Sequence, residues 1–224
     1  MLETAYPRQN QILDALSPAA RERLLPHLQI EALPLGMVLY ESGDMLRHIY
    51  FPTDSIVSLL YVMEDGASAE IAVVGNDGAI GVALFMGGET TTNRAIVQSA
   101  GSAYRLTGSR LKQEFERHGE MLHILLRYTQ ALITQMAQTA VCNRHHSVDQ
   151  QLCRWLLLSL DRLSSNHLAM TQELIANMLA CAAKASPRPR DRCRPPASSA
   201  IAAATSRCST AAAWKAGPAN AMAW

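Results

Sequence analysis

Apolar positions along this chain change their period twice. Over residues 8–28, RQNQILDALSPAARERLLPHL, they fall at Ile12, Leu13 and Leu16 and again at Leu24, Leu25 and Leu28. That is the three-to-four spacing of helices laid on a core. Between the two groups, Ser17-Pro18 reads as an N-cap followed by proline at the first helical position. From residue 30 to 107 the pattern shortens. LPLGMVLYESGD, HIYFPTDSIVSLLYVMEDG, ASAEIAVVGNDG and NRAIVQSAGSAYRL are rich in Val, Ile and Tyr. Gly, Asp and Asn separate them at intervals of about ten residues, which predicts an antiparallel sandwich or roll. Asp65-Gly66 and Asp77-Gly78 read as hairpin turns within it.

The helical period returns at Ser109 and holds to about His146. Leu122, Leu125, Thr129, Leu132, Met136, Ala140 and Asn143 step by three or four residues, over a span longer than an average helix. Two arrangements satisfy such a stripe. The helix can lie on the β-unit, or it can pair with its copy in a second subunit as a parallel two-stranded seam. Polar residues on the stripe favour the seam, because they set register there. The expected homodimer interface is therefore Leu122, Leu125, Thr129, Leu132, Met136 and Asn143. Next, Ser147 can cap a helix with Leu152, Trp155, Leu156, Leu160 and Leu163 on its apolar face. A short linker then leads to Thr171, a cap, and to Leu174, Ile175 and Leu179. This spacing suits the first helix of a helix-turn-helix.

The order of these pieces, with LPLGMVLYESGD, HIYFPTDSIVSL, NRAIV and VDQQLCRWLLLSLDRL leading into MTQELIANML, resembles the Crp/Fnr family of bacterial transcription regulators over about residues 10–179. The resemblance implies an α+β fold in four parts. Residues 8–108 would form a cyclic-nucleotide-binding-like antiparallel β-roll (a jelly-roll, or double-stranded β-helix) that senses a small-molecule effector. Residues 109–146 would be one long dimerisation helix, and 147–179 the start of a winged helix-turn-helix. Residues 180–224 would be a low-complexity, disordered tail. DNA and RNA polymerase are the implied macromolecular partners, with Thr171 and Gln172 on the DNA backbone.

Two departures from the family pattern matter. Cyclic-nucleotide-binding relatives place a Gly-Glu pair ahead of an arginine, the Glu for a ribose hydroxyl and the Arg for the phosphate. Counting back from Phe85, the Glu position falls at Gly81. Arg94 and Ala95 match the arginine and its neighbour, and Glu89, in the longer loop MGGETTTN, is an alternative acid. The implied effector site is thus Gly81, Glu89, Arg94 and Ala95. Its missing carboxylate argues against a cyclic nucleotide, and the resemblance implies no other cofactor.

The second departure is the tail. After IANML the family would supply a turn glycine, a basic recognition helix and a β-hairpin wing. Here the last 45 residues hold sixteen Ala, five Pro and five Arg, with no Leu, Val or Phe. A GC-rich gene read out of frame yields this mixture. ACAAKASPRPRD can be encoded so that one restored G turns it into GVRREGVTEAAG, a turn glycine followed by a basic, capped helix. The tail thus reads as a frameshifted recognition helix and wing. Pro187, Pro189, Pro195 and Pro196 break helical continuity across it.

Charge follows the same division. The net charge of +1 splits into +6 over residues 180–224 (seven Lys/Arg, one Asp) and −5 over the rest (thirteen Lys/Arg, eighteen Asp/Glu). Such a tail can touch phosphates without reading sequence. The five cysteines form no CxxC pair, and their odd number argues against a disulfide framework. Cys142-x-x-His145-His146 has helical spacing, but no second cluster completes a metal site. There is no P-loop, nucleophile elbow or paired catalytic carboxylate, so no enzyme is expected. No run approaches the roughly 20 apolar residues of a membrane span, and the start lacks signal-peptide features. The expected location is the cytoplasm.

Overall fold

The computed structural model describes residues 9–64, 66, 68–88 and 90–163. Glu89, Asp65, the helix-turn-helix residues Thr171 and Gln172, and the whole 180–224 tail lie outside the described residues.

The chain opens with two short helices, α1 (Gln11–Asp14) and α2 (Pro18–Leu24). Ser17 caps α2 as its sequence predicts, its Oγ accepting from the Ala20 N–H at 3.4 Å with proline in the first turn. Asn10 caps α1: its Oδ1 accepts from the Ile12 and Leu13 amides at 3.1 and 3.3 Å.

Seven antiparallel strands follow: β1 (Gln29–Leu33), β2 (Val38–Tyr40), β3 (His48–Pro52), β4 (Ile56–Val62), β5 (Ser68–Val74), β6 (Asn93–Ser99) and β7 (Gly101–Thr107). They form a three-stranded sheet, β1-β7-β3, and a four-stranded sheet, β2-β6-β4-β5. Between the sheets lie Leu33, Ile49, Phe51 and Leu106 from one, and Val57, Leu59, Ala72, Val74, Ala95 and Val97 from the other. Each pair two apart shares a face, as strand geometry requires. The intervening Ser58 and Gln98 are also buried, so the outer face of the larger sheet is covered too.

The β4–β5 hairpin pairs Val62 with Ser68 and turns through Gly66 at φ +80°, a left-handed conformation that favours glycine. Asp77-Gly78 behaves differently. The chain turns there, but Ile80 then bridges to Tyr50 of the other sheet, so the expected hairpin is instead a crossover.

Gly101 lies against the turn after β3. A Cβ there would sit 2.7 Å from Asp54 C and from Ser55 N, both of them backbone atoms that cannot rotate away. Gly101→Ala is therefore expected to destabilise the fold by about 2–3 kcal/mol, read from the midpoint of urea unfolding.

The helix expected over 109–146 is two helices. α3 spans Gly108–Phe115 and α4 spans Glu120–His145. His118 separates them at φ +54°, and Gly119 is extended ahead of Glu120. A left-handed residue after a helix is a usual way to end it. α4 is still 26 residues, about 39 Å long. Ser17 N–H donates to Glu120 Oε2 at 2.7 Å, tying its start to α2. Tyr128 donates to Ala79 O at 2.9 Å, its ring filling the space a side chain at Gly78 would need.

The expected dimer stripe needs correcting. Leu125, Thr129 and Leu132 are buried within their own chain, and Met136 packs partly against the same core. Thr129 Oγ1 donates to Leu125 O at 2.9 Å, so even the polar residue is satisfied internally. The stripe lies on the roll. Leu122 is half-buried at its edge and Asn143 is exposed.

After a turn at His146 and Ser147 comes α5 (Val148–Asp161), opened by a reciprocal capping box between Ser147 and Gln150. Among the described residues no helix is long and apolar enough to cross a membrane.

Candidate functional site

Of the residues expected to form an effector site, the described ones, Gly81, Arg94 and Ala95, do not converge. Gly81 is buried in the crossover, at φ +108°, heading a 3-10 turn over Val82–Leu84. A Cβ there would meet His48 O at 3.0 Å, so backbone conformation and close approach both call for glycine. This position cannot be restored to a carboxylate without moving β3. Ala95 is fully buried in the core between the sheets.

Arg94 alternates with Ala95 on β6 and so points to the opposite face of the sheet. Its Nε lies 3.2 Å from Glu41 Oε1 and is buried without an aligned hydrogen bond. The guanidinium is about one-third exposed, so this pair contributes little to stability. It nevertheless gives Arg94 an anionic neighbour of its own. A cyclic nucleotide needs a sugar-binding acid and a free arginine on one wall. Position 81 has no acid, and Arg94 is already paired. Among the described residues no acid stands where the resemblance places the sugar-binding one, and Glu89, the alternative acid, lies outside them.

A cleft of about 340 Å³ opens beside the β2–β3 connection, lined by Leu39, Tyr40, Asp44, Arg47, His48 and Tyr50 among others. Neither Gly81, Arg94 nor Ala95 lines it. Burial, with the positive charges of Arg105 and Arg47, holds the His48 imidazole below the ordinary histidine pKa. Buried Tyr40 donates to Asn93 Oδ1 at 3.1 Å.

The outer face of the larger sheet holds a polar cluster that pattern reading passed over. Ser58 Oγ lies 2.7 Å from Glu70 Oε2 and 2.6 Å from Gln98 Oε1. From α5, the Trp155 indole N–H donates to the same Glu70 oxygen at 3.3 Å. Trp155 is itself buried. Enclosure pushes the Glu70 carboxyl up to about 7, against the hydrogen bonds from Ser58 and Trp155 and the charges of Arg154 and Arg162. One helical turn pair further along α5, Arg162 reaches Asp77 twice, Nε to Oδ1 at 3.1 Å and Nη2 to Oδ2 at 2.9 Å. The sequence did hold a signal. Ser58, Glu70 and Gln98 are polar residues beside apolar neighbours in their strands, and Trp155 and Arg162 are seven apart, on α5 and at its C-cap.

On α4 the exposed apolar residues are Leu126, Ile133 and Val141. Exposed Ala137 and Ala140 lie between them on the same side of the helix. Their spacing of seven and eight residues is that of a helix–helix contact. Cys142, read as part of an exposed helix end, is buried, while His145 and His146 are exposed. No group of three or more potential metal ligands occurs among the described residues.

The comparisons with known proteins agree with this architecture. Residues 30–118 match the family model described as cyclic nucleotide-binding domain. The fold as a whole is that α+β roll followed by a long helix. It is shared with CLP, the c-di-GMP-responsive global regulator of Xanthomonas campestris: TM-score 0.60, 15% identity, 85% of this chain and 93% of that one. FixK2 from Bradyrhizobium japonicum is similar at TM-score 0.61 and 13% identity, over 83% of this chain and 86% of that one. A protein of Eubacterium rectale assigned to the Crp/Fnr family of transcriptional regulators gives TM-score 0.61 and 11% identity, over 77% and 81%. At such identities the likeness is one of fold. No curated protein sequence matches the chain significantly.

Proposed function

We propose that this chain is a homodimeric, effector-responsive regulator of the Crp/Fnr type, a cytoplasmic DNA-binding transcription regulator by descent. The carrying observation is the continuous order of roll, 26-residue helix and capped α5, a fold held in common with regulators over most of both chains' lengths. The exposed Leu126–Ile133–Val141 stripe supports the dimer. It replaces the inner stripe as the seam.

In this reading the recognition helix and wing are lost to the frameshifted 180–224 tail. Specific sites are bound about 10³–10⁷-fold more tightly than other DNA, a margin that rests largely on base-edge contacts. A chain left with only the positioning residues Thr171 and Gln172 lacks that margin. Binding through Lys184, Arg188, Arg190, Arg192 and Arg194 is expected to ignore sequence and to collapse as salt rises. Footprinting tests this. Reinserting one nucleotide after codon 179 should create protection of a two-fold symmetric site. Protection of one operator by the 224-residue chain at physiological salt would refute the loss. The second reading, an effector-binding dimerisation module without sequence-specific DNA contact, differs in what the repaired chain does: it would gain no operator.

The effector is not cyclic AMP bound in the usual mode, because Gly81 cannot supply the acid and Glu41 neighbours Arg94. Calorimetry is expected to show no saturable cyclic AMP binding at micromolar concentration. Micromolar affinity abolished by Arg94→Ala would overturn this and make Arg94 a phosphate ligand.

A further inference from the structure

We infer that the Glu70 carboxyl is a proton-controlled latch between the roll and α5, closed when the carboxyl is protonated and weakened when it ionises.

The argument begins with counting hydrogens. Ser58 has one hydroxyl proton and lies within 2.7 Å of two oxygens, Glu70 Oε2 and Gln98 Oε1. With the Gln98 amide turned as it is, a carboxylate at position 70 leaves one of those short contacts without a hydrogen. A protonated Glu70 resolves both. Its O–H donates to Ser58 Oγ, Ser58 donates to Gln98 Oε1, and the Trp155 N–H donates to the Glu70 oxygen. Each hydrogen in the chain of contacts then has one acceptor.

The neighbouring cations do not substitute for that proton. Arg154 on α5 and Arg162 at its C-cap are the charged groups that bear on the carboxyl. Neither hydrogen-bonds to it. Arg154 Nη1 donates to Thr139 Oγ1 at 3.3 Å, and Arg162 is occupied by Asp77 and by Leu158 O. From the sheet side, β4 and β6 contribute only the neutral Ser58 and Gln98 to the cluster. The carboxyl is therefore enclosed by α5 without an ion pair to keep it charged.

Docking and protonation are consequently linked. With α5 lifted away, Glu70 meets water and returns towards an ordinary carboxyl near 4.5; docked, it titrates near 7. A group whose docked pKa is raised favours docking below its free pKa, and that contribution is lost as pH rises through the docked value. Docking should weaken about tenfold per pH unit between roughly 5 and 7, and level off above. Arg162–Asp77 holds the far end of α5 throughout, so the latch loosens the helix and does not release it.

The test uses the full chain. Amide hydrogen exchange, expressed as protection factors to remove its own pH dependence, is followed over residues 150–161. Protection should fall roughly a hundredfold between pH 5 and pH 7.5, with the roll strands unaffected. Glu70→Gln, neutral and of the same shape, should stay docked with flat protection. Should that variant misfold, the infrared C=O band of the protonated Glu70 in the unaltered chain carries the test alone, with an expected midpoint near 7. Gly75→Ala supplies an independent perturbation: its Cβ would lie 2.6 Å from Arg162 Cβ. It should lower α5 protection at every pH and move the midpoint down towards the free carboxyl. A midpoint already in the ordinary range in the unaltered chain overturns the latch. So does pH-independent α5 protection, or an unmoved midpoint when Gly75→Ala undocks the helix.

Discussion

Ile133→Glu is expected to give a folded monomer, and Leu132→Glu an unfolded chain. The two residues are adjacent on α4, about 100° apart around its axis, one turned into the core and the other to solvent. Leu132 is 6% exposed and packs in the roll's core, whereas Ile133 is 52% exposed. A glutamate at 132 loses the leucine's burial and desolvates a charge with no partner, which costs about 4 kcal/mol or more. That is a large share of the roughly 5–15 kcal/mol that holds an ordinary domain together. A glutamate at 133 stays in water in the monomer and should change its stability by less than about 0.5 kcal/mol. Across a two-fold seam it acts twice, at about 2 kcal/mol for each central residue. The dimer dissociation constant should therefore rise roughly 10²–10³-fold. Sedimentation of both variants, with far-UV circular dichroism to report folding, separates the outcomes. A folded, dissociated Leu132→Glu chain would return the seam to the inner stripe.

The second large effect lies at Asn10, which is fully buried and makes four hydrogen bonds. Its Oδ1 accepts from the first amides of α1, and its Nδ2 donates to Pro52 O and Gly78 O, each at 2.9 Å. One amide group thus joins the N-terminal helix, the end of β3 and the crossover turn. Asn10→Ala removes a helix cap and orphans two carbonyls, with an expected loss of about 3–5 kcal/mol. Asn10→Asp tests the division of labour. It keeps the cap but turns a carboxylate oxygen on two carbonyl oxygens. If the aspartate variant is as stable as the unaltered chain in urea, the Nδ2 contacts contribute nothing and the argument fails.

The seven-stranded roll and the capped helices were legible because their signals are local. Ser17-Pro18, Gly66 and Ser147 each act on the backbone beside them. What failed to show was direction. A stripe at three-to-four spacing says that one face of a helix is buried, and gives no hint whether the roll or a second subunit buries it. Leu125 and Leu132 went to the roll, and the other face, with fewer apolar residues, is the one the proposed dimer uses. Periodicity also ran through the break at His118, because Leu111 and Phe115 continue the apolar spacing while the backbone turns. The candidate effector residues were placed by analogy of position, which says nothing of where Arg94 points once Ala95 is in the core. Asn10 and Glu70 were missed for a related reason. Each is a single polar residue that bonds to groups far off along the chain, Asn10 to Pro52 and Gly78 and Glu70 to Trp155.

The burial of the inner stripe of α4 also sets an order of events. Met121, Leu125 and Leu132 complete the core of their own roll, so one chain can reach its native form before it meets another. Folding is then unimolecular, and in the proposed dimer pairing is a later second-order encounter between finished surfaces. After a jump from denaturant, strand signals should recover at a rate independent of protein concentration. The growth of the dimer should quicken in proportion to it.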